Sequence, residues 1–113
     1  MKVTDLKIGD KVYSSYFGMD INEIEAYTII DIRDGAIVLP NDVYKNSPYV
    51  VPFKDLDKKL SCFFTTYEKQ VENIGHNIRK AQRHFERRGD KERLQRYLDL
   101  EVKYLKDRER KGV

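Results

Sequence analysis

The hydrophobic period changes once along this chain, near residue 65. Before that point the apolar residues alternate. "KIGDKVYS" sets a turn pair, Gly9-Asp10, ahead of an apolar and aromatic run. "IEAYTIIDIR" places Ile24, Ala26, Thr28, Ile30 and Ile32 on one face and Tyr27 and Ile29 on the other, as a strand requires. Asp34-Gly35 is a hairpin signal between that run and "AIVL". "YVVPF" and "KLSCFF" complete five short strands, and Pro52 confines its strand to an edge or a bulge. Short strands joined by tight turns over residues 1–64 predict a small, strongly bent barrel.

From Thr65 onward the period is helical. "TTYE" fits a capping box, with Thr65 accepting from the third helical amide and Glu68 reaching back. Tyr67, Val71, Ile74, Ile78, Ala81 and Phe85 follow at spacings of 4-3-4-3-4. At about 100° per residue they fall within about 40° of one line. Gly89 suits the left-handed end of a helix, and Asp90 suits the cap of the next. Leu94, Tyr97, Leu98, Val102 and Leu105 form a second stripe with Tyr104 beside it, although Glu101 falls almost on its line and Leu100 well off it. The loop is so short that the two helices over residues 65–113 must fold back as an antiparallel hairpin. A lone hairpin buries little, so it packs on the barrel or on a second copy. A dimer of hairpins would use both stripes and Leu100.

Charge follows the same division. Residues 1–64 carry eight Lys/Arg and ten Asp/Glu, and residues 65–113 carry fourteen and nine, so a net of −2 meets a net of +5. The chain lacks the apolar run of about 18 residues that a membrane span needs. Its first residues have no apolar segment of the signal-peptide kind, and its single cysteine has no internal partner. These features predict a cytoplasmic protein that does not engage the membrane.

Catalytic chemistry has little to build on. His76 and His84 are eight residues apart, too far round a helix to share a metal. Glu68, Glu72 and His76 stand at i, i+4 and i+8, which offers two or three weak metal ligands but is above all the pattern of an ordinary solvated helix face. Cys62 alternates with Leu60 and Phe64, which predicts a buried, inert thiol. No phosphate-binding glycine loop, zinc-protease motif or nucleophile elbow is present. The expectation is a protein without catalytic residues, metal, cofactor or small-molecule substrate.

The opening "LKIGDKVY", the short strands after it and the run "LSCFFTTYEKQVENI" resemble a class of small phage- and prophage-encoded proteins of Gram-positive bacteria. That class has a "GD-x-V-Y" opening, an SH3-like barrel and a last strand running into a capped helix. Gly9, Asp10, Val12, Tyr13, Phe64, Thr65 and Glu68 stand at the matching positions, within residues 6–74. The long hairpin departs from the shorter helical end of the class. The resemblance implies that the five-stranded β-barrel is SH3-like and that the protein has an accessory role in a mobile element; with the hairpin read from the helical period, the fold class is α+β. If phage-encoded, the protein would work in the host cytoplasm. In SH3-like barrels the loop after the first strand often contributes to a partner groove or stacks on bases. Here that loop is "YSSYFGMD", which makes Tyr16 a partner-binding candidate and Phe17 a candidate for the core.

The strongest functional signal is "RKAQRHFERRGDKERLQR", residues 79–96, with eight Lys/Arg against three Asp/Glu. On the second helix the charges neutralise each other, since Glu92–Arg96, Asp99–Lys103 and Asp107–Lys111 are acid-first i, i+4 pairs. On the first, Arg79, Arg83 and Arg87 form a like-charge ladder that costs about 0.2–0.5 kcal/mol per pair. Such a ladder implies an anionic partner. One candidate is internal, among Asp20, Glu23, Glu25, Asp31 and Asp34. The others are nucleic-acid phosphate and an acidic protein surface, including the groove of a nuclease or host defence protein that this chain would inhibit. The predicted binding residues are Arg79, Lys80, Arg83 and Arg87, with Arg96, Lys103 and Tyr16 in support. The remaining alternative is purely structural, a homodimer formed through the hairpin with solvated charges.

Overall fold

The computed structural model describes residues 5–15, 19–58 and 62–113. Among these residues the chain is α+β, with two small antiparallel sheets and two long helices. Gly9, at φ 97°, makes the turn into β1 (Lys11–Ser15). β1 pairs with β2 (Ile24–Thr28), with Tyr13 opposite Ala26. The expected single strand "IEAYTIIDIR" is broken at Ile29-Ile30. There the Ile29 amide donates to the Asp10 carbonyl, while the Ile30 amide donates across to Val38 in the other sheet. The run therefore passes from one sheet to the next and resumes as β3 (Asp31–Arg33).

The Asp34-Gly35 turn, with Gly35 at φ 69°, leads to β4 (Ala36–Leu39), which is buried along its whole length. β4 lies between β3 and β5 (Tyr49–Pro52). Pro52 is thus on an edge strand, as a residue without an amide proton requires. Of the expected last strand "KLSCFF", residues 59–61 lie outside the described residues, and residues 62–64 form no regular strand. Phe64 alone bridges to Tyr13, exchanging both backbone hydrogen bonds. Five strands are present, but they form two separate sheets, and no closed barrel is formed among the described residues. Without a regular strand the alternation that would bury Cys62 also fails, and that thiol is exposed.

The helices follow the sequence pattern more closely. α1 (Tyr67–Arg88) and α2 (Lys91–Lys111) are joined through Gly89, at φ 69°, and Asp90, whose carboxylate caps the Arg93 amide. The N-terminal cap of α1 is Thr66 rather than Thr65, accepting from the Lys69 amide at 3.1 Å. Thr65 is committed elsewhere, as described below.

One core lies within the β half, around Val12, Ile29, Ile37 and Leu39. A second joins the β half to the hairpin: Ile21, after β1, packs with Val71, Ile74 and Ile78 of α1 and Tyr104 of α2. The α1 stripe is therefore buried as its spacing predicts. The predicted α2 stripe is buried only in part, through Tyr97 and the neighbouring Tyr104. α2 turns Tyr97, Leu100 and Tyr104 inward, and it leaves Leu98, Val102 and Leu105 at 39%, 51% and 54% exposure.

Tyr104 sets this rotation. Its ring occupies the notch left by Gly75, and its hydroxyl donates to the Val71 carbonyl at 2.8 Å. A Cβ at residue 75 would stand 2.5 Å from that hydroxyl and 2.8 Å from the ring carbon that bears it. Gly75→Ala should therefore lower stability by about 1–3 kcal/mol in urea titration, despite its better helix propensity. In a Tyr104→Phe background the cost should be smaller, because the closest atom is gone. Equal costs in both backgrounds would contradict this account of the notch.

Candidate anion-binding face

The start of α1 is fixed by one carboxylate. Asp57 adopts a left-handed conformation at φ 60°. Its oxygens accept from the Thr65 amide at 2.7 Å, the Thr65 hydroxyl at 2.8 Å and the Lys69 ammonium at 3.0 Å. Burial opposes the ionised form, but these three donors outweigh it and hold the Asp57 pKa below its ordinary value. The clamp ties the segment after β5 to the first turn of α1 and so sets where the rest of the helix projects.

Arg79, Lys80, Arg83 and Arg87 are all exposed, and Arg88 is exposed beside them. Among the described residues none of the five makes an ion pair within 4.0 Å. The acids considered as an internal partner do not reach them. Asp20 is taken by Lys103 and Asp31 by Arg33.

α2 is different. Arg93 pairs with Asp90, Arg96 with Glu92, Arg108 with Glu72 and Arg110 with Asp107. Lys103 sits between Asp20 at 3.3 Å and Asp107 at 2.9 Å. Its hydrogen bond to Asp107 raises its pKa, and the same contact lowers that of Asp107. At Asp20, partial burial is outweighed by the Asn22 amide and Lys103, and the net shift is also downward. Lys103 thus joins the hairpin to the β half, and Arg96 is held along its own helix. Both stand apart from the ladder that they were expected to support. Tyr16 and Phe17 lie outside the described residues.

Contacts on α2 orient the hairpin. Toward α1 it turns Tyr97, Tyr104 and Arg108, with Gln82 Nε2 donating to the Tyr97 carbonyl at 3.1 Å and Arg108 pairing with Glu72 at 3.1 Å. Toward the β half it turns Leu100, Lys103 and Asp107, with Asn22 Nδ2 donating to Asp107 at 3.0 Å. At about 100° per residue, the direction away from the β half then carries Leu94, Leu98 and Leu105 on α2, with Val102 toward the margin and the carboxylate residue Glu109 at the end of the same line. The same construction on α1 puts Arg79, Arg83 and Arg87 in that direction. An apolar strip and a basic ladder therefore run side by side on the outer face of the hairpin.

Sequence periodicity missed this strip by assigning it to the interior. The signal against that assignment is Glu101, a charge almost on the apolar line.

An open groove of about 580 Å³ runs beside the start of the ladder, with Asp57, Lys69, Glu72, His76 and Arg79 in its lining. It mixes acids and bases, with no array of one sign. No cluster of three or more His, Cys, Asp or Glu suited to a metal ion occurs among the described residues. No described helix is long and apolar enough to cross a membrane. The chain matches no family model, no curated protein and no solved structure.

The Asp57 clamp makes a pH prediction. A carboxylate whose folded pKa is depressed stabilises the fold above its unfolded value of about 3.9, and that contribution disappears as pH falls through the folded value. Asp57→Asn should cost about 1–2 kcal/mol at neutral pH. The deficit should begin to shrink below about pH 4 and fade as pH drops through the lower folded pKa, where the folded wild-type carboxylate is protonated too. Urea titrations from neutral to acid pH check this, and a deficit that stays constant through the acid range would contradict it.

Proposed function

We propose that this is a non-enzymatic accessory protein that binds an anionic macromolecule through the outer face of α1. Arg79, Lys80, Arg83 and Arg87 supply the charge. The observation that carries this reading is the contrast between the helices. Five cations of α2 are held by carboxylates, and its exposed Lys91, Lys106 and Lys111 are scattered, whereas every member of the α1 ladder is exposed and unpaired among the described residues. Keeping like charges at i, i+4 costs helix stability, and an anionic partner offsets that cost on binding.

The turn at Gly9-Asp10 and the capped junction before α1 also occur in the phage and prophage class that the sequence resembles. This supports an accessory role in a mobile element, with an SH3-like origin for the β half. Nucleic acid, or an acidic protein that normally handles nucleic acid, supplies the kind of surface that the ladder fits. In the second case the chain would act as an inhibitor by occupying that protein's groove.

Position must matter here as well as net charge, and heparin affinity tests this. Arg79→Gln/Arg83→Gln/Arg87→Gln and Arg93→Gln/Arg96→Gln/Arg110→Gln remove the same charge. The first should elute at clearly lower salt than wild type, and the second close to wild type. Equal shifts would reduce the ladder to generic surface charge and sink the proposal.

A further inference from the structure

The outer face of the hairpin is half apolar, and a purely ionic partner leaves that half unexplained. Leu98, Val102 and Leu105 are 39%, 51% and 54% exposed, although they occupy one line of a long helix. From Leu94 to Leu105 the strip spans about 17 Å, or three helical turns. Beside it on α1 run Arg79, Arg83 and Arg87, unpaired among the described residues. We propose that this face docks an acidic amphipathic helix of a partner protein, apolar along its centre and carrying carboxylates along one edge. This rests on reading the ladder as an anion site and assigns the macromolecule to protein.

Charge complementarity and the apolar strip select that occupant together. A helix laid along the groove between α1 and α2 would place apolar side chains at helical spacing on Leu98, Val102 and Leu105. Its Glu or Asp edge would lie against the ladder, where guanidinium groups take carboxylates in bidentate pairs. Nucleic acid would leave the strip in water, because its bases stack on aromatic rings and the strip has none.

A second copy of this chain fits poorly as well. Antiparallel pairing of α2 with α2 about a two-fold axis puts both ladders on the same side of the interface, where they repel.

Fluorescence anisotropy tests the proposal with a labelled, helix-stabilised peptide of about 18 residues. It carries leucines at i, i+4, i+7 and i+11 and glutamates along one flank. A scrambled peptide of the same composition and a single-stranded DNA of about 20 nucleotides serve as comparisons. The proteins are wild type, Leu98→Ser/Leu105→Ser and Arg83→Gln/Arg87→Gln. All four positions are exposed, so thermal melts of the variants should match wild type.

Wild type should bind the amphipathic peptide at concentrations up to about 100 µM, and each double variant should weaken binding about tenfold or more. The scrambled peptide should not bind. Suppose the peptide fails while DNA binds, and DNA binding depends on the arginines but not the leucines. The helix-docking proposal is then overturned and the anion site stands. If neither peptide nor DNA binds, both readings fall. A concentration-dependent dimer that Leu98→Ser/Leu105→Ser abolishes assigns the strip to a second copy and overturns the proposal.

Discussion

The rotation of α2 about its own axis decides what this molecule presents to its surroundings, and a tyrosine in a glycine notch fixes it. Tyr104 can approach α1 closely because residue 75 has no side chain, and its buried hydroxyl then finds the Val71 carbonyl. Burying a tyrosine ring gains a large apolar area, and bonding its hydroxyl removes the desolvation cost. Arg108 closes the site, with its guanidinium 5.6 Å from the Tyr104 ring centre and paired with Glu72. Once these contacts form, Tyr97 and Leu100 must also face inward. Leu98 and Leu105, on another side of α2, are left exposed.

The same rotation places the electrostatics. Lys103 and Asp107 are brought against the 3-10 turn Ile21–Glu23 and its cap Asp20, so the β half and the hairpin meet through a polar network as well as through Ile21. The Asp57 clamp works at the other end, where the chain leaves the β half and enters α1. The hairpin is therefore held at two points, the start of α1 and the second half of α2. The stretch holding Arg83, Arg87 and the turn at Gly89-Asp90 lies beyond both.

The architecture was legible in the sequence to the extent that local signals set it. Gly89 and Asp90 bound the two helices, the 4-3-4-3-4 spacing gives the buried face of α1, and Asp34-Gly35 turns β3 into β4. Long-range partners decided the rest. "IEAYTIIDIR" reads as one strand, because nothing local marks Ile29-Ile30 as the point where two sheets compete for its amides. Thr65 is a good cap by type, but Asp57 takes its hydroxyl and the cap passes to Thr66. Cys62 alternates correctly with its neighbours, yet it has no ladder to sit in. The ladder at Arg79, Arg83 and Arg87 was readable because like charges at helical spacing are a local property. The pairing of Lys103 with Asp20, 83 positions away, was not.

Putting the fold-determining contacts on one side of the hairpin has a consequence for how the protein can change. Val71, Gly75, Tyr104 and Arg108 constrain one another, so a substitution at any of them is felt by the others. Arg83, Arg87, Leu98, Val102 and Leu105 face away from that set. They can be exchanged singly without disturbing helix packing. Fold maintenance thus rests on one side of the two helices, and the outer face can vary in sequence while the inner one stays fixed.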